Sequence, residues 1–245
     1  MTLEETVRRI TPLDQEAMEA AEKHWNSIAK PLHSLGKLED VVVQIAGIQG
    51  TSRVEIARKA LIVLCADNGV VEEGVTQTGQ EVTAQVAENF LQEKATAGIL
   101  CRRTGAEIFP VDMGIYRDTC IRNCKIAYGT KNMAKEPAMT RDQAVKALET
   151  GIMLAFEKKE EGFQLLATGE MGIGNTTSSS AMASVLLNHP VEEMTGRGAG
   201  LSTAGLNKKI KTIRRAIAMH KPDREDPVDV LSKVGGFDIA GMAGV

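Results

Sequence analysis

The feature that most constrains the fold of this chain is a repeated succession of short apolar segments and amphipathic helices. Three apolar segments have the length of strands, at 60–66, 107–111 and 164–168. Short continuous apolar runs that end at polar or glycine residues are typical of buried parallel strands. Their alternation with helices predicts an α/β fold, a Rossmann-like three-layer arrangement with helices on both faces of a mostly parallel sheet.

A carboxylate stands at or just after the end of each strand segment. These residues are Asp67, Asp112 and Glu170. Right-handed crossovers bring the carboxyl ends of parallel strands to the same edge of a sheet, where ligands bind in open α/β folds. We therefore expect the three carboxylates to gather at one edge.

Apolar spacing and capping signals predict the helices. Thr11 and Pro12 indicate the start of the first helix, and Thr140 with Gln143 forms a capping box for a helix that reaches about Lys159. A candidate N-cap, Ser202 or Thr203, opens a further helix. The other predicted bounds are 13–29, 38–48, 81–103, 203–220 and 228–233.

The predicted domains are 1–50, the N-terminal helical part of a small subdomain, and 51–245, an α/β nucleotide-binding domain. The last segment, 237–245, is apolar and rich in small residues, and no capping signal follows it. We expect this segment to be exposed and to favour association, and the α/β domain to be incomplete at its C-terminus.

The segment 169–177, which reads GEMGIGNTT and is called the glycine cradle below, joins the third strand segment to a Ser/Ala-rich helical segment. Backbone N–H groups at a helix start lack internal partners, and glycines let an anion approach them closely. The glycine cradle is therefore a candidate phosphate site, with a simple capped turn as the alternative. It matches neither the Walker nor the dinucleotide pattern. Glu170 would repel an anion there, which indicates another purpose for its charge.

A second glycine-rich turn, 196–200, precedes the helix predicted at 203–220 and is a second candidate anion-binding turn. That helix carries several basic side chains, most of which we interpret as a solvated face. They are Lys208, Lys209, Lys211, Arg214 and Arg215.

Composition favours small-molecule chemistry. The net charge is −3, from 29 basic and 32 acidic residues, so no basic footprint for nucleic acid is present. No apolar run approaches the roughly 18 residues of a spanning helix, and the first residues carry no targeting pattern. We expect a cytoplasmic protein with no membrane or nucleic-acid partner.

Metal ligands have no recognisable spacing in this sequence. The four cysteines include no CxxC pair and the four histidines no HExxH motif, so we predict no metal. Aromatic residues make up only 3% of the chain, which leaves aliphatic side chains and methionines to line a ligand pocket.

Five separate strings together resemble one enzyme family, that of nicotinate-nucleotide:dimethylbenzimidazole phosphoribosyltransferase. They occur in the family's order and cover the chain from about Pro31 to its last residue. The strings are SLGKLED at 34–40, ADNGV at 66–70 with QEVT at 80–83, PAMT at 137–140, the glycine cradle, and VGGFD at 234–238.

The resemblance implies an activity. Phosphoribose is transferred from nicotinate mononucleotide to 5,6-dimethylbenzimidazole, which gives α-ribazole 5′-phosphate and nicotinate for the lower ligand of cobalamin. It also implies a homodimer, no metal and no cofactor.

The family pattern also implies roles for residues of this chain. Glu170 is the carboxylate that supports positive charge on the ribose, which fits the physical requirement of that transition state. Thr78 and Gln80 belong to the pocket of the acceptor base, and Lys209 is nearest the basic position expected beside the phosphate. The remaining substrate-binding residues are Met171, Gly172, Gly174, Asn175, Gly198 and Gly200.

Two departures from the family pattern affect these expectations. Asn68 stands where the family has a histidine, which removes a titratable group. The glutamate that serves the family as general base lies beyond the position of Val245, and losing such a base costs roughly 10²- to 10⁴-fold in rate. We therefore expect a C-terminally shortened form whose activity is impaired. The alternatives are a non-catalytic binder of nicotinate mononucleotide and a phosphoribosyltransferase for another purine-like base.

Overall fold

The computed structural model describes residues 1–92 and 94–245, and a four-stranded sheet lies at the centre of the larger of its two units. The strand order is β3-β2-β1-β4, and every pairing is parallel. This confirms the predicted parallel α/β class. The strands are β1 (Lys59–Ala66), β2 (Ala106–Gly114), β3 (Arg122–Asn123) and β4 (Leu165–Met171). The two-residue β3 was not predicted.

The larger unit comprises Arg58–Val245 together with Met1–Leu3, and the smaller unit comprises Glu4–Ala57. The predicted domains place their boundary earlier, at residue 50. In the smaller unit α2 (Gln15–Ser27) packs against α3 (Lys37–Gln49). The remaining N-terminal helix is α1 (Leu3–Arg8).

The predicted start of the first long helix is wrong. Asp14, rather than Thr11, is the N-cap of α2, and its carboxylate accepts a hydrogen bond from the Ala17 backbone N–H at 3.0 Å. An Asp side chain in extended backbone satisfies a free N–H of the first turn, so the helix begins after it. Pro12 lies in the segment before the helix.

The described residues of the larger unit form eight further helices, of which α4, α5 and α11 contact the sheet directly. The capping box of Thr140 and Gln143 is present at the start of α6, and Ser202 caps α9, as predicted. A 3₁₀ turn at Gly69–Glu73 follows β1. The helices are α4 (Glu81–Leu91), α5 (Thr96–Thr104), α6 (Arg141–Glu160), α7 (Asn175–Leu186), α8 (Val191–Met194), α9 (Thr203–His220), α10 (Pro227–Val234) and α11 (Phe237–Gly244).

The single helix predicted over 81–103 is two helices. α4 ends at Leu91 and α5 begins at Thr96. Ala95 has extended backbone angles, φ −86° and ψ 153°, which cannot continue a helix. Helical apolar spacing persists across the break, which explains why the sequence pattern did not reveal it. Glu93 lies outside the described residues.

Helices cover both faces of the sheet, as predicted. Successive β1 side chains alternate between faces. Ile62 and Leu64 pack with residues of α6 and α11, whereas Val63 and Cys65 pack with residues of α4. A third buried cluster joins α7, α9 and α10.

The expectation that residues 237–245 are exposed is wrong. Phe237 is 1% exposed, and α11 packs against α6 and against the sheet. Small residues make this approach close, since a Cβ at Gly151 of α6 would collide with the carbonyl of Gly241. The small residues of α11, from which we predicted an exposed end, form the surface that packs against α6.

None of the helices in the described part of the chain is long and apolar enough to cross a bilayer. Among residues 1–92 and 94–245, no three His, Cys, Asp or Glu side chains are grouped so that they could hold a metal ion.

Candidate functional site

The glycine cradle is the turn between β4 and α7. Gly174 is the N-cap of α7, with φ 95°, a left-handed conformation that L side chains rarely adopt. A Cβ there would also lie 2.9 Å from Val71 and 3.1 Å from Asn68. No side chain within the described residues caps the first turn of α7. The turn therefore requires glycine, and no side chain of the described residues blocks the helix start. Two of its first N–H groups, those of Asn175 and Thr177, donate to the carbonyls of Gly172 and Gly174.

The glycine cradle, the turn at 196–200 and the loop after β1 enclose a small cavity of about 90 Å³. It brings together six residues that the sequence singled out. They are Thr78, Gly172, Gly174, Asn175, Gly198 and Lys209. Larger grooves lie elsewhere, but none of those residues lines them.

Lys209 is the charged centre of this cavity. Its side chain is on α9 and the residue is only 1% exposed. The ammonium donates to Thr176 Oγ1 at 2.7 Å and to the Gly196 carbonyl at 3.3 Å. No carboxylate of the described residues forms a salt bridge with it, and burial lowers its pKa. A buried cation without a counter-charge is a strong indication of an anionic ligand.

The second glycine turn brings the backbone close to this ammonium. Gly198 has φ 56°, and a Cβ there would lie 3.1 Å from Thr176 Oγ1 and 3.7 Å from Lys209 Nζ. Arg197 also lines the cavity, and its guanidinium donates to the Leu201 carbonyl at 2.8 Å. Thr176 and Arg197 were not predicted as site residues, although both lie inside the glycine-rich motifs of the sequence.

Four predicted site residues do not line the cavity. The Gly200 carbonyl accepts from Gln77 Nε2 at 2.6 Å, and Gln80 Nε2 approaches the Asn68 carbonyl at 3.5 Å. Met171 packs against the core cluster beside α4. The fourth residue, Glu170, is next to the cavity.

Glu170 is joined to the cavity through Asn175. The Asn175 amide donates to the Glu170 carboxylate, and Asn175 itself lines the cavity. Although part of the Glu170 side chain is exposed, burial of its carboxyl raises the pKa, and the Asn175 hydrogen bond lowers it. The arrangement puts a carboxylate beside an anion pocket without making it part of that pocket.

The other two carboxylates of the predicted edge belong to hydrogen-bond networks. Asp67 is fully buried and accepts from Thr83 Oγ1 at 2.6 Å and from the Tyr116 N–H at 2.9 Å. Burial raises the pKa of Asp67 to about 6, although these two hydrogen bonds lower it. Asp112 accepts from Lys125 Nζ at 2.8 Å and from the Ile115 N–H at 2.9 Å.

Three residues without a predicted role support the glycine cradle from behind. Thr83 Oγ1 accepts the Ile173 N–H at 3.0 Å, so the chain from Asp67 through Thr83 holds the cradle backbone. Asn68 accepts from Ser178 Oγ at 2.9 Å. Asp238 is fully buried beside them. The sequence signal for Asp238 was its position as a lone acidic residue within the apolar segment 237–245.

A family model described as phosphoribosyltransferase matches residues 10–245. The nicotinate-nucleotide–dimethylbenzimidazole phosphoribosyltransferase of Clostridium tetani is 49% identical over 245 residues, which are 99% of this chain and 68% of that protein. The Ruminiclostridium cellulolyticum protein of the same name is 49% identical over 247 residues, with 100% and 70% covered.

The solved structure of CobT from Thermus thermophilus has the same fold. It superimposes with a TM-score of 0.87 at 36% identity and covers 94% of this chain and 70% of that one. The fold, the family match and the sequence identities agree. This chain belongs to the nicotinate-nucleotide–dimethylbenzimidazole phosphoribosyltransferase family.

Proposed function

We propose that this protein transfers phosphoribose from nicotinate mononucleotide to 5,6-dimethylbenzimidazole, giving α-ribazole 5′-phosphate and nicotinate. The relatives from Clostridium tetani and Ruminiclostridium cellulolyticum are named for these substrates. The observation that carries the proposal is the buried Lys209 ammonium, which faces the glycine cradle without a counter-charge among the described residues.

The 5′-phosphate of the mononucleotide occupies the cavity in this proposal. Lys209 supplies a charge-assisted hydrogen bond, and the start of α7 supplies the positive end of the helix dipole. Gly198 lets the phosphate approach the backbone beside Lys209, and Gly172 and Gly174 let the cradle pack closely against Ala66 and Asn68. The anion offsets the penalty of burying the ammonium, so the cavity favours a phosphate over a neutral ligand.

Glu170 acts on the ribose. A ring nitrogen of dimethylbenzimidazole attacks C1′ with its lone pair while the C1′–nitrogen bond to nicotinate breaks. The electrons of that bond neutralise the nicotinate ring, and the acceptor's N–H proton is lost to solvent. Positive charge builds on the sugar between the two partners, and the Glu170 carboxylate stabilises it. The hydrogen bond from Asn175 orients this carboxylate toward the cavity.

The acceptor base lies toward the loop that carries Thr78 and Gln80. Thr78 lines the cavity together with the aliphatic side chains of Val75, Ile173 and Leu201. An aliphatic wall with few polar groups suits a flat, apolar base such as dimethylbenzimidazole. Met171 and Gly200 complete the proposed substrate-binding set by shaping the ends of the glycine cradle and of the second turn.

The direct test is nicotinate release. Protein mixed with nicotinate mononucleotide should release nicotinate only when dimethylbenzimidazole is added, at the low rate that we expect from the sequence. Calorimetry should detect mononucleotide binding without the acceptor. Lys209→Met should weaken that binding at least about tenfold, whereas Lys208→Met, on the neighbouring exposed position, should not. Absence of mononucleotide binding would contradict the proposal.

The assay also separates the alternatives. Binding without turnover would favour a non-catalytic binder of nicotinate mononucleotide. Turnover with another purine-like base, but not with dimethylbenzimidazole, would favour a different phosphoribosyltransferase. A homodimer and a cytoplasmic location, both expected from the sequence, belong to the proposal, and sedimentation velocity and cell fractionation would test them.

A further inference from the structure

A buried polar pair lies directly beneath the glycine cradle. Asp238, in the first turn of α11, and Asn68, which follows β1, are both 0% exposed. Neither Asp238 oxygen accepts a well-aligned hydrogen bond within the described residues, and Asn68 Nδ2 has no acceptor there. Unsatisfied buried polar atoms are rare and costly, so a group of three in one place calls for a functional explanation.

Three glycines enclose this pair. A Cβ at Gly172 would lie 2.9 Å from Asp238 Oδ2, and a Cβ at Gly174 would lie 3.1 Å from the Asn68 Cβ. A Cβ at Gly236 would collide with Asp238 Oδ1 and would lie 2.8 Å from Asn68 Oδ1. The Asp238 carboxyl therefore lies between Gly236 and Gly172 of the glycine cradle.

Two oxygen acceptors, Asp238 Oδ1 and Asn68 Oδ1, thus converge beside Gly236. The Ser178 hydroxyl already donates to Asn68 Oδ1. A proton on Asp238 would supply the missing donor, and the amide orientation of Asn68 can reverse to match it. Protonation also removes a charge that is buried without an ionic partner among the described residues.

We propose that Asp238 is a positioning residue of the anion site that is held neutral against Asn68 while an anion occupies the glycine cradle, and that it takes the required proton from solvent as the anion binds. This inference rests on the proposed function, since it takes the glycine cradle as the phosphate site.

Electrostatics supports this coupling. Burial raises the pKa of Asp238 to about 7, and the Glu170 charge raises it as well, whereas nearby backbone N–H groups and the Asn68 amide lower it. A bound anion adds a further negative charge on the cradle side, which favours the protonated acid. Because linkage is reciprocal, protonation of Asp238 strengthens anion binding by the same factor.

The groups that face Asp238 from the packed elements are few. Glu170 of β4 points to the α11 face, because it is in register with Leu64, which contacts α11 at Gly241. The Cys65 thiol of β1 interacts electrostatically with Asp238. Beyond them are Asp67, Asp112 and Lys125, of which the last two form a salt bridge. On the neighbouring helices, Leu148 and Gly151 of α6 contact α11 and Ser178 of α7 contacts Asn68, and all three are uncharged.

Sulfate is the appropriate probe, because it is a tetrahedral anion that does not titrate near neutral pH. Its affinity for the wild-type protein should fall about sevenfold more between pH 6 and 8.5 than its affinity for Asp238→Asn, which corresponds to a pKa that rises by about one unit, from about 7, on binding. Asparagine mimics the neutral acid, so this variant should bind sulfate at pH 8.5 more tightly than the wild type. Parallel pH profiles would overturn the inference.

A second measurement needs no Asp238 variant. Calorimetry of sulfate binding in buffers of different ionisation enthalpy should give an uptake of about 0.4 proton at pH 7, the value for a pKa that rises one unit from about 7. Lys209→Arg, whose charge does not titrate in this range, should show the same uptake. Uptake that disappears in Lys209→Arg would assign the proton to Lys209 and overturn the inference.

Two experimental outcomes distinguish a wrong role for Asp238 from a wrong anion site. If nicotinate mononucleotide and sulfate both bind without proton uptake, the anion site stands and the role of Asp238 is wrong. If neither ligand binds to the wild-type protein at either pH, the anion site itself is wrong and both are overturned.

Discussion

Two regions at the same edge of the sheet differ in whether their buried charged groups have partners within the protein. Beside β1 and β2, Asp112 is paired with Lys125 at 2.8 Å and Asp67 accepts two hydrogen bonds. Beside β4 and α7, Lys209 and Asp238 are equally buried, but neither has an ionic partner within the described residues.

The difference separates charges that serve the fold from charges that serve a ligand. Burying an ion is costly unless a partner compensates for it, and a compensated pair holds the structure together. A buried cation such as Lys209 persists when an anion from outside the chain supplies the missing partner, and a buried acid such as Asp238 persists in its protonated form. We therefore interpret the β1–β2 side as structural support and the β4–α7 side as the binding site.

The largest expected effect is on the paired side. Asp112→Ala leaves the Lys125 ammonium buried without its carboxylate, and should lower the free energy of unfolding by about 3–5 kcal/mol. Urea denaturation measures this change. The double variant Asp112→Leu with Lys125→Met should recover most of the loss, because it removes both charges together. If Asp112→Ala lowers the free energy of unfolding by less than about 1 kcal/mol, the β1–β2 side does not serve as structural support.

Glu170→Gln tests the chemistry on the unpaired side. The change keeps an acceptor for Asn175 but removes the negative charge beside the ribose, so kcat should fall by roughly 10²- to 10³-fold while KM changes little. Steady-state kinetics of nicotinate release measures both constants. Glu160→Gln, at an exposed position on α6, is the matched control. Equal effects on kcat and on mononucleotide affinity would assign Glu170 to ground-state binding.

Lys209→Met should change binding and stability in opposite directions. Loss of one charge-assisted hydrogen bond, worth about 1.5–3 kcal/mol, should weaken mononucleotide binding by roughly 10- to 150-fold. The free energy of unfolding should stay constant or increase, because an uncompensated buried charge is removed. Calorimetry and urea denaturation measure the two quantities, with Lys208→Met as control. A large loss of stability would mean that Lys209 belongs with the structural charges.

Local patterns predicted most of the fold. The continuous apolar run of β1, the capping box of Thr140 and the Ser202 cap each depend on neighbouring residues, and each is present. The break between α4 and α5 was missed, because the apolar spacing continues through it. The burial of α11 was missed because its partners on α6 are about a hundred residues away in the sequence.

The candidate site was only partly predictable for a related reason. Motif residues such as Gly172 and Lys209 were recognised, but their common cavity depends on how three distant loops meet. Whether a carboxylate is satisfied is also a tertiary property. Asp67 and Asp238 both stand in quoted motifs, and only the fold distinguishes the hydrogen-bonded acid from the one without partners.

Thr83 connects the two regions and gives the smallest expected effect. Its hydroxyl donates to Asp67 at 2.6 Å and accepts the Ile173 N–H of the glycine cradle at 3.0 Å. Thr83→Val keeps the shape of the side chain but removes one hydrogen-bond partner from the Asp67 carboxylate and one from the Ile173 N–H. The free energy of unfolding should fall by about 1–2 kcal/mol, and mononucleotide affinity should fall a few-fold.

The loss in Thr83→Val should depend on pH. The folded pKa of Asp67, about 6, is above its ordinary value of 3.8, so the stability linked to its protonated form is full below 3.8 and is lost as pH rises through 6. The Thr83 hydrogen bond lowers the pKa, so its removal raises the pKa further and makes the variant's deficit larger at pH 8 than at pH 5. Urea denaturation at the two pH values measures this. An equal deficit at both would mean that the hydroxyl supports the cradle backbone without stabilising the Asp67 charge, and the two regions would then be independent.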